Sequence, residues 1–166
     1  MGEYYRFIFV KDEGFREAIK KLGVFPADAV EGKSYDEIIS TIDPEWLHEA
    51  LNNENACRWV CFGNGFVNSY WYDDLVFEPF LPEPFRKIVM QEFTLGNYID
   101  GKDIDAFMAV MEEVYGKVKR LHDDMVESQE KKDFEEFFLN HCLAGFEDAR
   151  KAIHDGFRDR IIVGWR

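Results

Sequence analysis

Basic residues, cysteine and long apolar runs are all scarce in this chain of 166 residues, and each scarcity excludes something. Lysine and arginine number 20 against 33 aspartates and glutamates, so the net charge is −13. A polyanion is repelled by phosphate backbones and anionic lipid, which argues against nucleic-acid and membrane-surface partners. The 3 cysteines, Cys57, Cys61 and Cys142, are too few for a disulfide scaffold. No apolar run reaches the roughly 18 residues of a membrane span. The opening Met1-Gly2-Glu3-Tyr4-Tyr5-Arg6 lacks the basic start and apolar stretch of a signal peptide, so the expectation is cytoplasmic. Gly-x-Ser-x-Gly and Walker-type lysine loops are missing, and Gly63-Asn64-Gly65 is too short to cradle phosphates. No internal repeat and no low-complexity tract appears.

What is present is aromatic mass and helical periodicity. The chain holds 16 phenylalanines and 4 tryptophans, and a single domain of this length buries roughly 70% of its unfolded surface. The stretch Lys102 to Gly156 reads as a helical hairpin. Ile104, Met111, Val118 and Met125 recur at heptad spacing, with Phe107, Val114 and Leu121 three places on. Ser128 to Lys132 read as the polar turn, and Asp133 with Glu136 as the capping box of the second arm. That arm carries Phe134, Phe138, Cys142, Gly145, Ala149 and Ile153 in one stripe and Leu139, Leu143 and Phe146 in another. A helix apolar almost all round is expected to be deeply buried. Gly156 is its stop.

Before the hairpin, Tyr4 to Val10 predicts a buried strand. Asp12 then caps a helix with Phe15, Ala18, Ile19 and Leu22 inward and Gly23 at its end. Phe25 to Gly32 reads as a loop. Ser34 and Glu37 make a capping box, and Asp43-Pro44 starts another helix with Trp46, Leu47, Ala50 and Leu51 inward. Ala56 to Phe62 and Phe66 to Tyr72 predict two strands joined by Gly63-Asn64-Gly65, with a third at Leu75 to Phe77. Pro79, Pro82 and Pro84 precede a helix near Phe85, and Leu95 to Gly101 connect to the hairpin. Arg160 to Trp165 is the final strand. The order predicts an α+β domain, a small, largely antiparallel sheet packed by helices, with first and last strands inside it.

Three constellations are candidates for chemistry. A hairpin turn near residue 131 would set His122 level with His141, the beginning of a metal site that lacks further ligands. The single Glu45-Trp46-Leu47-His48 pattern falls short of a di-metal bundle. Cys57 and Cys61 on one strand would stand about 13 Å apart, beyond disulfide or shared-ion reach, and are expected in the core. The third constellation is aromatic: Trp59, Phe66, Tyr70, Trp71, Tyr72, Phe77 and Phe80 follow closely, and Asp73 and Asp74 adjoin them. On a strand Trp71 faces one way and Phe66, Tyr70 and Tyr72 the other; whichever set is left uncovered, rimmed by Asp73 and Asp74, would suit protein binding. The reading is therefore a non-enzymatic acidic interaction domain with a basic protein partner, such as an immunity or inhibitor protein, and no cofactor. The rival reading is a small ligand-binding or metal-dependent enzyme with a cleft between hairpin and sheet.

The order of elements resembles the YfbM-like family of small uncharacterised bacterial domains. The Met1-Gly2 start into strand and helix, the tryptophan-bearing helix from Asp43 to Leu51, and a late helix through Ala149, Arg150 and Ile153 into the strand Ile161 to Val163 carry that resemblance. It implies the fold and a bacterial cytoplasmic origin, and transfers no site residue.

Overall fold

A computed structural model of the chain describes residues 5–62 and 81–165. Its centre is an antiparallel sheet in which β1 (Tyr5–Val10) and β4 (Arg160–Trp165) are neighbours, flanked by β2 (Cys57–Val60) and β3 (Tyr98–Asp100), in the order β2-β1-β4-β3. The register pairs Phe7 with Val163, Ile8 with Ile162 and Phe9 with Ile161. Residues 7–10 and 161–164, which alternate between the two faces, are all buried, which is why these stretches read as unbroken apolar runs rather than alternating ones. Phe7, Phe9, Ile161 and Val163 enter one core with the later helices, whereas Ile8, Val10 and Ile162 enter a second core with the earlier ones. The α+β expectation with a buried first and last strand is met.

The second core is closed by α1 (Asp12–Lys21), α2 (Tyr35–Thr41) and α3 (Pro44–Ala50). Their starts follow local chemistry. Ser34 Oγ accepts from the Glu37 amide at 3.2 Å, and Asp43 accepts from the Glu45 amide at 2.9 Å just before Pro44. Such caps contribute about 1 kcal/mol each. Asp12 behaves differently from the cap expected of it: it is the first residue of α1, its N-cap is Lys11, and its carboxylate turns to Arg160.

The first core lies under α4 (Phe85–Val89) and the helical hairpin. The hairpin's first arm is α5 (Ile104–Asp123). The second arm is α6 (Gln129–Phe134), a π-helical segment Glu135–Leu139, and α7 (Asn140–His154). The Glu112–Arg150 ion pair and the Tyr115 and Phe146 rings, 5.6 Å apart, hold the arms together. Three expectations need correcting here. Ser128, not Asp133, caps the second arm by accepting from the Lys131 amide, so residues 129–132 are helical rather than turn. Leu121 and Leu143 are exposed, at 40% and 47%, so the arms are less completely buried than their composition implies. Leu95 to Gly101 is more than a connector, because Tyr98–Asp100 pairs with β4 as an edge strand.

Close approach explains Gly145. A methyl group there would stand 2.6 Å from the Cys61 carbonyl oxygen and 2.8 Å from Phe62 Cδ1, so α7 crosses the end of β2 at backbone contact. Gly156 has φ +94°, and α7 ends with the Phe157 amide on Ala152 O and the Gly156 amide on Ile153 O, the paired bonds of a Schellman motif.

Candidate functional site

The residues proposed from sequence as a binding face, Phe66, Tyr70, Trp71, Tyr72, Asp73 and Asp74, lie outside the described residues, as do the strands expected at 66–72 and 75–77. The two histidines are described and are not brought together. His141 is exposed on α7. His122 is 4% exposed and points into the hairpin turn, with Nε2 3.2 Å from Lys131 O and its ring stacked on Phe134 at 5.9 Å. The second arm starts earlier than its sequence suggests, and this moves the residues facing His122 toward the turn. Among the described residues no group of three or more histidine, cysteine, aspartate or glutamate side chains is placed to hold a metal ion. Cys57 is buried as expected, whereas Cys61 is exposed just beyond the end of β2. Cys142 donates to Phe62 O at 3.1 Å. Burial pushes the Cys57 thiol up to about 12 and the Cys142 thiol higher still, so neither is a nucleophile near neutral pH.

The most developed polar cluster gathers at the Val10 end of the sheet. Arg160, the first residue of β4, makes a two-pronged ion pair with Asp12, at 3.1 Å from Nε and 2.5 Å from Nη2. Its guanidinium lies 4.0 Å from the Tyr35 ring centre and 4.7 Å from that of Tyr98. Burial is the largest influence and opposes the charge on Arg160, but the Asp12 hydrogen bonds and charge, together with Tyr98 and Tyr35, outweigh it and raise the guanidinium above its ordinary value. The surrounding hydroxyls are spoken for as well. Tyr35 donates to Leu95 O at 2.6 Å and Tyr98 donates to Asp36 at 2.8 Å, while burial drives both phenols above their ordinary range. Each group thus has its partner inside the cluster, and no base faces an activated nucleophile. The cluster ties β4 and β3 to α1 and α2, and its chemistry is that of a fastening.

The surface of α2 and α3 has a different character. Between Ser34 and Cys57 the chain carries Asp36, Glu37, Asp43, Glu45, Glu49 and Glu54, all exposed, and no lysine or arginine. Asp43, Glu37 and Glu45 serve helix starts, and Asp36 receives the Tyr98 hydroxyl. Glu49 and Glu54 have no such local duty. Beside them Trp59 is 50% exposed, and its Nε1 donates to Leu51 O at 3.0 Å at the end of α3. Trp46, expected inward, is half-buried against the second core. An exposed indole held at Leu51, which lies between Glu49 and Glu54 in sequence, is suited to a cationic, partly apolar counterpart. The absence of lysine and arginine over that stretch was the sequence signal for it.

A shallow groove of about 300 Å³ runs between α5 and α7, lined by Asp105, Met108, Ala109, Glu112, Arg150 and Ile153. Its acids are already engaged: Glu112 pairs with Arg150, and Asp105 lies 3.4 Å from Arg158. Among the described residues no helix is long and apolar enough to cross a membrane. No family model, curated protein or solved structure matches this chain.

Proposed function

We propose that this protein is a non-enzymatic, acidic interaction domain that binds a basic protein, in the manner of an immunity or inhibitor protein neutralising a toxin directed at nucleic acid. The observation that carries the reading is the stretch through α2 and α3, where exposed carboxylates run in sequence from Asp36 to Glu54 uninterrupted by lysine or arginine, with the half-exposed Trp59 bonded to Leu51 O at the end of α3. Enzymes that grip nucleic acid carry basic patches, and an acidic protein competes for them through the same electrostatics. Carboxylates speed the encounter, and aromatic side chains provide the contacts that hold the complex. In this proposal Phe66, Tyr70, Trp71 and Tyr72, with Asp73 and Asp74, are further contacts to the partner.

The test is charge reversal. The Glu49→Lys, Glu54→Lys double variant should fold normally by circular dichroism and bind a basic partner at least about tenfold more weakly, mostly through a slower association rate. Tyr70→Ala and Trp71→Ala should weaken binding through faster dissociation. Unchanged affinity in the double variant would remove α2–α3 from the interface, and unfolding of the aromatic variants would place those rings in the core instead.

A further inference from the structure

We propose that the turn of the helical hairpin is a pH-responsive clasp, in which the imidazolium form of His122 ties the end of α5 to the start of the second arm. Nδ1 lies 3.1 Å from Asp123 Oδ1. Nε2 lies 3.2 Å from Lys131 O and 3.6 Å from Glu135 Oε2. All three are acceptors. A neutral imidazole has one N–H and one lone pair, so either tautomer aims a lone pair at an oxygen, whereas the imidazolium donates on both sides. The ring is 4% exposed and packed on Phe134, so water does not readily replace a lost partner.

The charged groups around the ring come from every element packed on it. On α5, Asp123 is also bonded to Lys119 at 3.0 Å. In the turn, Glu127 pairs with Lys131 at 2.7 Å, and Lys131 Nζ reaches Asp123 O at 3.4 Å. On the π-helical segment stands Glu135. The Asp123, Glu127 and Glu135 carboxylates favour a cation on the ring, and Lys119 and Lys131, each already paired with one of them, oppose it. The Asp123 carboxyl is held below its usual range first by Lys119 and then by His122. Loss of the ring proton leaves a single N–H to serve Asp123 on α5 and Lys131 O across the turn, so the bond from α5 to the second arm is shared between two tautomers and weakens. The turn therefore loosens as pH rises and tightens as pH falls.

The ring nitrogens report this directly. Long-range proton–nitrogen NMR on the whole chain, followed through a pH series, identifies the pH range over which the His122 ring nitrogens change protonation. As the ring loses its proton, hydrogen-exchange protection of the Met125 and Lys132 amides, bonded to His122 O and Ser128 O, should fall by about tenfold, the factor for one charge-assisted bond. In His122→Gln that dependence should be flat across the same range. Turn protection that does not follow the protonation of the ring would overturn the proposal. The wild-type titration decides alone if the variant does not fold.

Discussion

Replacing Gly145 with alanine is the sharpest probe of how the hairpin sits on the sheet, because two effects of comparable size oppose each other. Alanine is favoured over glycine inside a helix by about 1 kcal/mol. Against this, the new methyl would meet the Cys61 carbonyl oxygen at 2.6 Å, Phe62 Cδ1 at 2.8 Å and Phe62 Cα at 3.1 Å. Two of the three are backbone atoms, so no side-chain rotation relieves the overlap. The strand end must move away, and Phe62 moves with it. That ring packs edge-on against Phe7 at 4.9 Å and Phe146 at 5.1 Å, and the carbonyl of Phe62 accepts the Cys142 thiol. Overpacking of this kind costs about 1–3 kcal/mol, and loosening two aromatic contacts adds about 1 kcal/mol more. The net expectation is a loss of about 1–3 kcal/mol, or roughly 3–10 °C in Tm for a domain of this size. Gly116 on α5 is the control. A methyl there meets only Arg120 Nη1 at 3.7 Å, so Gly116→Ala should stabilise by about 0.5–1 kcal/mol. Urea titration of the two variants measures both signs. A Gly145→Ala protein as stable as Gly116→Ala would refute the seating of β2 on α7.

Other outcomes follow from the polar cluster and the thiols. Asp12→Ala leaves the largely buried Arg160 guanidinium without its carboxylate and should cost about 2 kcal/mol in urea unfolding, a loss that glutamate at position 12 restores only in part; no loss would make the pair ornamental. Tyr35 and Tyr98 have phenols raised by burial, so the unfolded chain gives up those protons first. Their contribution is complete below the unfolded value of about 10 and is lost as pH rises beyond it, so tyrosinate absorbance should lag until the protein unfolds. Native protein should yield the exposed Cys61 to a thiol reagent, with Cys57 and Cys142 reacting only in denaturant. Rapid native modification of Cys142 would contradict its burial under Phe62.

Local chemistry was the legible part of this fold. Ser34 with Glu37, Asp43 with Pro44 and Gly156 after α7 each act within four residues of themselves, and each does what its residue type and spacing predict. The apolar runs of β1 and β4 pointed to central strands because both faces are covered. Short and non-local features were not legible. Tyr98–Asp100 is too brief to show an alternation, and it becomes a strand only because β4 offers it a partner. Asp133 followed by Glu136 imitates a capping box, yet Ser128 captures the helix start first, and the π-helical segment shifts which residues of the second arm face α5. Arg160 and Asp12 stand far apart in sequence, and their only clue was a charge at the mouth of an apolar strand opposite one at a helix start. The aromatic face expected at Phe66 to Asp74 lies outside the described residues, and the acidic stretch before Trp59 showed in the sequence only as a run without lysine or arginine.

The central claim is that an acidic surface on this protein recognises a basic one. The most direct measurement is affinity capture from the native host at low and moderate salt, with the wild type and the Glu49→Lys, Glu54→Lys variant side by side, followed by identification and titration of the retained protein. A basic protein should be held by the wild type at low salt, released as salt rises, and retained poorly by the variant. A partner of neutral or acidic charge, or one held equally by both proteins at both salts, would contradict that claim.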